Sequence, residues 1–510
     1  MDYSVLVVDF GSQYNQLVVR RIRELNRSSI LISVSDFNNL IKEDKLDNVK
    51  AIIFSGGPNI VTDNNALKVN QELFNLNIPI LGICYGMQLM SNHYGASLEE
   101  SNIKEYGSQQ INILEQCDLF NNLSSKEDVW MSHGYEVNNP TEYIKVTSKT
   151  NDGVISSIKI KDKPFYGTQF HLEVTDTING MTMLQNFLEI NNVLEDYSTD
   201  MFVENRINSI KEQVQDDKVL LGLSGGVDSS VVAMLINKAI SNNLVCIFVD
   251  HGLLRKNEFK LVLDSLKKYN LNIIVADAKD RFLKELKDII DPEQKRKIIG
   301  RLFVEIFEEE ANKLDGIKYL AQGTLYTDII ESGTDTAHTI KSHHNVGGLP
   351  EKLGLKLLEP VNDLFKDEVR KVGYELGLTS ELINRKPFPG PGLAIRIIGD
   401  ITQEKINIVK ESDAILNTML ESYKNKDKIW QSFTLLTNTL TVGVKGDERS
   451  YEYVLAIRLV ESIDGMTARA HNIDTDFLLE ISKEITNNVK GINRVVYDIT
   501  HKPPSTIEWE

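Results

Sequence analysis

One cysteine of this chain stands where a nucleophile would be placed. Cys84 lies in Gly82-Ile83-Cys84-Tyr85-Gly86, between an apolar run that predicts a strand and a stretch that predicts a helix. Small residues on both sides permit the sharp turn that lifts a nucleophile out at the carboxyl end of a sheet. A helix N-terminus behind the sulfur stabilises the charge of a thiolate. Outside such a turn a cysteine is more often a small buried apolar residue, but this pattern predicts a thiol nucleophile.

A thiolate needs a base, and the sequence offers two histidines. His171 and Glu173 lie two positions apart in Phe170-His171-Leu172-Glu173-Val174, so on a strand they share a face. A carboxylate beside an imidazole orients the ring and stabilises its protonated form. His133 is the competing base and is second choice, because it has no carboxylate two positions away. A Cys84–His171–Glu173 triad predicts acyl transfer from an amide.

A second constellation is the glycine-rich turn Ser224-Gly225-Gly226-Val227-Asp228-Ser229-Ser230, which follows an apolar run and precedes a helical pattern. Backbone N–H groups at a helix N-terminus bind anions, and hydroxyl groups add donors. The turn is not a Walker A loop, because no lysine follows the glycines, and its glycine spacing differs from the dinucleotide fingerprint. A Gly-Gly turn alone is most often structural; the complete string predicts a phosphate-binding loop.

Alternating strand and helix patterns position both constellations. In the first part, apolar runs at Val5–Val8, Ala51–Phe54 and Pro79–Ile83 each lead into a turn, and strand-like segments dominate from about residue 110 to Phe165–Val174. A second α/β pattern begins at Val219–Leu223. This alternation predicts two doubly wound α/β domains. A small α+β domain follows, with a helix near Gln403–Tyr423 and a hairpin.

Two breaks in the pattern suggest domain boundaries. Residues Asn191–Asp200 are polar and acidic, as a linker would be, and the proline- and glycine-rich stretch Lys386–Gly392 stops any helix or central strand. We therefore predict domains at 1–192, 200–385 and 386–510.

Composition excludes several function classes. The 510 residues are 41% hydrophobic and 25% charged with a net charge of −17, which argues against broad nucleic-acid binding. A local basic cluster (Lys295, Arg296, Lys297, Arg301) can still attract phosphates. We expect no membrane segment and no signal peptide. Three scattered cysteines give no disulfide framework and fit a reducing, cytoplasmic location.

The first constellation resembles the class I glutamine amidotransferase family. Gly-Ile-Cys-Tyr-Gly-Met-Gln-Leu and Phe-His-x-Glu-Val carry the resemblance, which covers about residues 1–190. It implies that Cys84 attacks the amide of glutamine and that the backbone N–H groups of Gly57 and Tyr85 form an oxyanion hole. The chain departs from the family at Leu172, usually proline, and at Tyr135, usually aspartate in the synthetase branch. We expect Leu172 to face away from the triad.

The second constellation resembles the ATP-pyrophosphatase family, whose members split ATP between the α and β phosphates and adenylate a substrate oxygen. The resemblance implies that the 224–230 loop binds ATP with Phe248, Val249, Gly323 and Thr324. Asp228, a carboxylate beside phosphates, would be the ligand of Mg²⁺ bound with ATP. A plain helix cap is the alternative role for Asp228.

Further motifs make the whole chain similar to the GMP synthetase family, and the resemblance implies amination of XMP to GMP with ammonia from glutamine. They are Asp250–Glu258, Ile340–Pro350, Arg385–Arg396 and Lys502–Glu510. By resemblance, Arg301, Lys502 and Glu508 contact XMP, and Lys341, His343 and His344 belong to a mobile lid. The family also implies a homodimer formed through the C-terminal domain. Departures from its pattern are Thr327, Lys386, Lys445 and Arg469.

Three alternatives remain open. A tRNA thiolase also uses a pyrophosphate loop, but it needs a sulfur-carrying cysteine near that loop, and Cys246 lies inside an apolar strand. Another adenylating amidotransferase would differ only in its acceptor. A non-catalytic regulator would bind glutamine or nucleotides without turnover, which the intact Cys84, His171, Glu173 and Asp228 argue against.

Overall fold

The computed structural model describes residues 3–332, 354–385, 388–462 and 467–510, apart from the side chains of residues 102, 103, 330–332 and 445. These residues form two compact units. The first ends at Phe202 and the second begins at Val203.

The first unit is built on one mixed sheet. The strands follow the order β2-β1-β3-β4-β9-β8-β7-β5-β6, parallel from β2 to β9 and antiparallel from β9 to β6. The elements are β1 Val5–Asp9, α1 Asn15–Glu24, β2 Ser29–Ser33, α2 Val34–Lys42, β3 Ala51–Phe54, β4 Ile80–Ile83, α3 Tyr85–His93, β5 Ser97–Ile113, β6 Lys126–Asn138, β7 Ile144–Thr150, β8 Ile155–Ile160, β9 Phe165–Thr168 and α4 Gly180–Ile190.

Both faces of the inner parallel strands β1, β3 and β4 are buried, which explains their continuous apolar sequences. Leu6 and Val8 of β1 pack into one hydrophobic core, whereas Val5 and Val7 pack into a second core on the opposite face. The side-chain period of two divides each strand between the two cores. The first unit is therefore a doubly wound α/β domain, as the sequence predicts, with an antiparallel extension.

The second unit contains a parallel sheet in the order β12-β11-β10-β13-β14. Its elements are α5 Thr199–Val214, which begins before the unit boundary, β10 Lys218–Gly222, α6 Val227–Ile240, β11 Leu244–Asp250, α7 Glu258–Lys267, β12 Ile273–Asp277, α8 Lys279–Glu285, α9 Pro292–Ala311, β13 Ile317–Ala321, α10 Tyr326–Ser332, β14 Lys356–Leu358, α11 Lys366–Glu375 and α12 Ser380–Ile383.

A smaller sheet completes this unit. Its elements are α13 Gln403–Leu420, β15 Gln431–Lys445, β16 Glu448–Glu461, β17 Arg469–Ala470, α14 Thr475–Asn488 and β18 Ile492–Tyr497. The predicted hairpin is present, with Gly446 and Asp447 at positive φ between β15 and β16. Leu220 of the parallel sheet and Leu455 of β16 belong to the same hydrophobic core. The predicted division at residues 385 and 386 thus runs through a continuous core, and it stays a prediction.

The segment after α4 is held to the first unit by hydrogen bonds, although its polar sequence suggests a linker. Arg27 donates to the carbonyl of Val193 at 3.3 Å. Asp196 accepts hydrogen bonds from the main chain and the hydroxyl of Ser28, both at 2.6 Å, and its backbone N–H donates to Asn26 at 3.0 Å. These contacts hold residues 193–197 in place, so the composition of this segment does not signal a free linker.

One strand prediction is wrong in its extent. The sequence predicts a strand over Phe165–Val174, but β9 ends at Thr168, and beyond it a single bridge joins His171 to Trp130. The segment stays extended enough for residues two apart to meet. No helix among the described residues is long and apolar enough to cross a membrane.

Candidate active sites

Cys84 sits in the sharp turn between β4 and α3. Its φ is +51° and its ψ −102°, a backbone conformation that non-glycine residues rarely adopt and that marks functional turns. Two glycines permit the turn: a Cβ on Gly82 would come within 2.5 Å of Gly86, and one on Gly86 within 2.5 Å of Phe54. The turn presents the sulfur at the carboxyl end of the parallel strands, as the sequence predicts.

The structure brings His171 and Glu173 together beside Cys84. Nδ1 of His171 lies 2.7 Å from Oε1 of Glu173, and the ring also hydrogen bonds with the sulfur of Cys84. Burial lowers the pKa of His171, but the charge of Glu173 and the hydrogen bond to Cys84 outweigh it and hold this pKa well above its ordinary value. A protonated His171 between a thiolate and a carboxylate is the arrangement that thiol acyl transfer requires.

The predicted oxyanion-hole residues flank the same turn. A Cβ on Gly57 would lie 2.5 Å from the carbonyl oxygen of Phe10, so only glycine fits there. The neighbouring Gly56 lies against the imidazole, since a Cβ on it would be 3.1 Å from Cε1 of His171. Tyr85 is the first residue of α3, where backbone N–H groups have no partner within the helix. The turn at 55–57 is thus next to the triad, and the role of its N–H groups stays a prediction.

Sequence reasoning missed two glutamines next to the thiol. The side-chain amide of Gln169 donates to Sγ of Cys84 at 3.4 Å. Gln88 donates to Oε1 of Gln169 at 3.1 Å and to the carbonyl oxygen of Tyr135 at 2.9 Å. Gln169, His171 and Glu173 occupy alternate positions of one extended segment, and this spacing is the signal that could have revealed Gln169.

Both departures in this unit become understandable. Gln88 uses the main-chain oxygen of Tyr135, and this contact does not depend on which side chain stands at position 135. Leu172 is 1% exposed and packs in the hydrophobic core together with Phe170. Leu172 lies between His171 and Glu173 in sequence and faces the opposite side of the segment, so it points away from the triad as expected.

The competing base, His133, has a carboxylate partner after all. Nε2 of His133 lies 3.0 Å from Oε2 of Glu105, and Nδ1 lies 3.1 Å from the carbonyl oxygen of Tyr135. Glu105 is on β5 and faces His133 across the strand pair, a contact that sequence spacing does not show. Because both ring nitrogens of His133 have these partners while His171 hydrogen bonds with the sulfur, the structure favours His171 as the base.

In the second unit, the predicted phosphate loop joins β10 to α6. Gly225 has φ +74°, and the hydroxyl groups of Ser224 and Ser229 lie 3.0 Å apart. The hydroxyl of Ser230 donates to the carbonyl oxygen of Gly226 at 2.8 Å. Val227 is the first residue of α6, so the free N–H groups of the helix point into the loop. The structure therefore gives the 224–230 segment the geometry of an anion site.

Asp228 lies at the same helix start and faces a lysine that sequence reasoning missed. Nζ of Lys366, the first residue of α11, is 2.5 Å from Oδ2 of Asp228. The other oxygen, Oδ1, is buried and has no hydrogen-bond partner among the described residues. An orphaned buried carboxylate oxygen fits a cation ligand better than a plain helix cap. Lys366 places a positive charge at the loop, 138 residues along the chain from Asp228.

Of the predicted ATP residues outside the loop, Gly323 lies against it. A Cβ on Gly323 would be 3.3 Å from Cβ of Asp228. The hydroxyl of Thr324 donates to Glu359 at 2.6 Å. The side chains of Phe248 and Val249 on β11 are buried, and Phe248 stacks on Phe259 with ring centroids 5.0 Å apart. Nucleotide contacts by these residues stay a prediction.

Each of the three predicted XMP residues is held by its own partners. Arg301 pairs with Glu285 at 2.8 Å and Glu305 at 2.7 Å. Glu508 accepts from the buried Arg396 at 2.8 Å and from Gln431 at 3.0 Å. The main chain of Lys502 pairs with Ala468. The structure thus orders Lys502 and Glu508 in the C-terminal segment, and their role toward XMP stays a prediction.

The expected basic cluster does not form a free basic patch. Lys295 is fully buried, donates to the carbonyl oxygen of Ile397 at 2.7 Å and pairs with Glu510. Arg296 pairs with Glu293, and Arg301 has the two acidic partners given above. Glu293 and Glu305 lie one helical turn from their partners on α9, whereas Glu510 and Glu285 are brought to the cluster by the fold, which the sequence does not show. Lys341, His343 and His344 of the predicted lid lie outside the described residues, as does Lys386.

Comparison with known proteins covers both units. Residues 6–190 match the family model for glutamine amidotransferase class-I, residues 201–303 the model for NAD synthase, and residues 418–509 the model for the GMP synthase C terminal domain. A solved glutamine amidotransferase from Thermotoga maritima is 20% identical and covers 38% of this chain and 83% of its own, with a TM-score of 0.29.

Two curated relatives match along almost their full length. A glutamine-hydrolysing GMP synthase from Ligilactobacillus salivarius is 54% identical over 99% of this chain and 98% of its own length. One from Limosilactobacillus reuteri is 53% identical over 99% of this chain and 98% of its own length.

Proposed function

The chain belongs to the family of glutamine-hydrolysing GMP synthases, and on that premise we propose how its residues divide the work. It is a ligase that makes GMP with glutamine as nitrogen donor, and the regulator alternative is not favoured. The observation that carries the division of roles is that a thiol–imidazole–carboxylate triad occupies the first unit and a phosphate loop the second.

In the first unit, Cys84 attacks the side-chain amide carbon of glutamine and forms an acyl-enzyme. His171 is protonated beside the thiolate, and it passes its proton to the departing nitrogen, which leaves as ammonia. Glu173 keeps the ring oriented throughout, through the 2.7 Å contact at Nδ1. The N–H groups of Gly57 and Tyr85 bind the negative oxygen of the tetrahedral intermediate. Water then releases glutamate and restores the thiol.

In the second unit, the 224–230 loop binds the phosphates that leave as pyrophosphate. The N–H groups at the start of α6 and the hydroxyl groups of Ser224 and Ser229 are the anion donors, and Lys366 adds a positive charge. The C2 oxygen of XMP attacks the α-phosphorus of ATP and pyrophosphate departs. Ammonia then adds to C2, and the C2 oxygen leaves with AMP to give GMP.

Asp228 is the residue that would hold Mg²⁺ with ATP. Its Oδ1 is buried and has no hydrogen-bond partner among the described residues, as expected of an oxygen that can coordinate a cation. The bound ion would neutralise charge on the triphosphate and favour the departure of pyrophosphate.

We also propose a homodimer formed through the C-terminal part of the chain. Val442, Val444 and Tyr451 on the β15–β16 hairpin are 59%, 74% and 67% exposed. Val442 and Tyr451 are paired directly across the two strands, so they form one apolar strip. Contiguous exposed apolar surface is a mark of protein–protein contact sites, and this strip is the part of the C-terminal region that we assign to the contact. A Val444→Lys, Tyr451→Glu variant should shift the sedimentation coefficient from that of a dimer to that of a monomer; an unchanged value would refute this interface.

A reducing, cytoplasmic location completes the proposal. Cys84, Cys117 and Cys246 are all free and buried in the structure, so this chain uses no disulfide that an oxidising compartment would have to supply.

The test is conversion of XMP to GMP with Mg-ATP, given glutamine in one reaction and an ammonium salt in another. We expect GMP in both reactions, and Cys84→Ala should retain only the ammonium reaction. If Cys84→Ala still used glutamine, the proposed nucleophile would be wrong. An absence of GMP from ammonium would refute the roles given to the second unit.

A further inference from the structure

The sulfur of Cys84 accepts a hydrogen bond from a side-chain amide in addition to its contact with His171. Nε2 of Gln169 lies 3.4 Å from Sγ, and Gln169 is fully buried while Cys84 is 7% exposed. A hydrogen bond between two buried groups is shielded from competing water, so its orientation persists. Gln169 has no part in the scheme in which His171 moves the proton.

The orientation of this amide is fixed by its neighbours. Gln88 donates to Oε1 of Gln169 at 3.1 Å, so the oxygen end of the amide is occupied and the N–H end faces the sulfur. Gln88 is itself held by the carbonyl oxygen of Tyr135 at 2.9 Å. The backbone N–H of Gln169 donates to Ser156 at 2.9 Å, which anchors the residue to the sheet.

A hydrogen-bond donor at this position favours the thiolate form of the sulfur, which is the nucleophile. An amide N–H stabilises a thiolate more strongly than a thiol, because hydrogen bonds to charged groups are about twice as strong as those between neutral groups. The sulfur of a cysteine turns about one bond, Cα–Cβ, so its direction depends on its hydrogen-bond partners. Sγ also lies 3.8 Å from the carbonyl oxygen of Ser132, so His171 and Gln169 are the neighbours that can donate to a charged sulfur, and two donors restrict its rotation better than one.

We propose that Gln169 is a positioning residue for the glutaminase reaction, whose amide N–H holds the charged sulfur of Cys84 in the direction of attack. Gln88 is the support that keeps the amide in this orientation. The inference rests on the proposed role of Cys84 as nucleophile.

The test uses the full chain with Gln169→Met, which keeps the length of the side chain but cannot donate. Iodoacetamide reacts with thiolates, so the rate of Cys84 alkylation against pH, followed by mass spectrometry, reports the charged sulfur. We expect the pH of half-maximal alkylation to rise by about one to two units. The kcat/KM for glutamine hydrolysis should fall about tenfold to a hundredfold, while GMP formation from ammonium is unchanged.

Two further variants separate positioning from loss of structure. Gln169→Leu also lacks a donor, so it should lose at least as much glutaminase activity as Gln169→Met. Asn186→Leu removes a buried amide from α4 in the same unit, where Asn186 donates to Leu119 at 3.0 Å and to Asn121 at 2.9 Å. This control should leave the alkylation profile of Cys84 unchanged.

Three results would overturn the inference: an unshifted alkylation profile in both Gln169 variants, a full rate of glutamine hydrolysis in both, or the same shift in Asn186→Leu. Failure of the proposed function would look different. In that case Cys84→Ala would continue to hydrolyse glutamine, whatever the Gln169 variants did.

Discussion

Glu173→Gln is the substitution that most directly tests the proposed triad. It replaces a carboxylate by an amide of the same shape and removes one negative charge beside His171. The side chains of His171 and Glu173 are 6% and 1% exposed, and Nδ1 of His171 lies 2.7 Å from Oε1 of Glu173. The second oxygen of Glu173 has no hydrogen-bond partner among the described residues, so the charge of this carboxylate is directed at the imidazole.

The magnitude follows from this geometry. With 2.7 Å between the nearest atoms, the two charges are centred about 4 Å apart, and at an effective dielectric constant of about 20 their attraction is about 4 kcal/mol. The amide oxygen of glutamine can still accept from Nδ1, which retains about 1 kcal/mol. A net loss of about 3 kcal/mol corresponds to a fall of about a hundredfold in kcat/KM for glutamine.

The assay compares GMP formed from glutamine with GMP formed from ammonium by the same Glu173→Gln preparation. Only the glutamine reaction should fall, since the second unit does not use the triad. Glu105→Gln is the matched control, because Glu105 forms a similarly buried pair with His133 at 3.0 Å. We expect that variant to stay within about threefold of the parent. A glutamine rate in Glu173→Gln within threefold of the parent, or an equal loss in Glu105→Gln, would refute the assignment of His171 and Glu173.

Three further predictions concern stability and ATP use. Burial lowers the pKa of His251 to about 4, so the unfolded chain binds a proton between pH 6.5 and 4 that the folded chain does not. The free energy of unfolding of the second unit should therefore be about 2 kcal/mol lower at pH 5 than at pH 7, as measured by urea titration. His251→Gln should remove most of this difference. If the variant kept the same pH dependence, His251 would not be its source. Gly86→Ala places a Cβ 2.5 Å from Phe54 and should therefore destabilise the first unit by about 2 kcal/mol. Calorimetry should show a Tm lower by about 4–8 °C. An unchanged Tm would mean that α3 can move to accommodate the methyl group. Asp228→Asn removes the negative charge opposite Lys366. It should reduce kcat/KM for Mg-ATP, measured as pyrophosphate release, at least about tenfold, and it should leave glutamine hydrolysis unchanged. An unchanged kcat/KM for Mg-ATP would exclude a metal-binding role for Asp228.

The triad could be predicted because its signals are local. Cys84 is marked by small neighbours between a strand and a helix, and His171 and Glu173 by their spacing of two. These signals describe backbone geometry within a few residues, and the fold preserves them even though β9 ends before His171. The phosphate loop could be predicted for the same reason, because residues 224–230 form one turn and the start of one helix.

The remaining partners come from distant parts of the chain. Lys366 meets Asp228 because the helices α11 and α6, far apart in sequence, pack against each other. Glu105 meets His133 because the antiparallel register of β5 and β6 places them opposite each other. Lys295 was misjudged for this reason: its neighbours in sequence are basic, whereas its neighbour in space is Glu510. Periodicity shows which face of an element is apolar, but it does not show which charged side chain a buried cation will meet.

The fastened segment after α4 decides where this polypeptide could be split into two separately encoded pieces. Cutting after residue 192 would leave Arg27 without the carbonyl of Val193 and Ser28 without Asp196, and would uncover an apolar side chain that is 2% exposed. Cutting after Tyr197 leaves these bonds within the first piece. A gene division that keeps these contacts therefore falls after residue 197, at least five codons later than composition alone would put it.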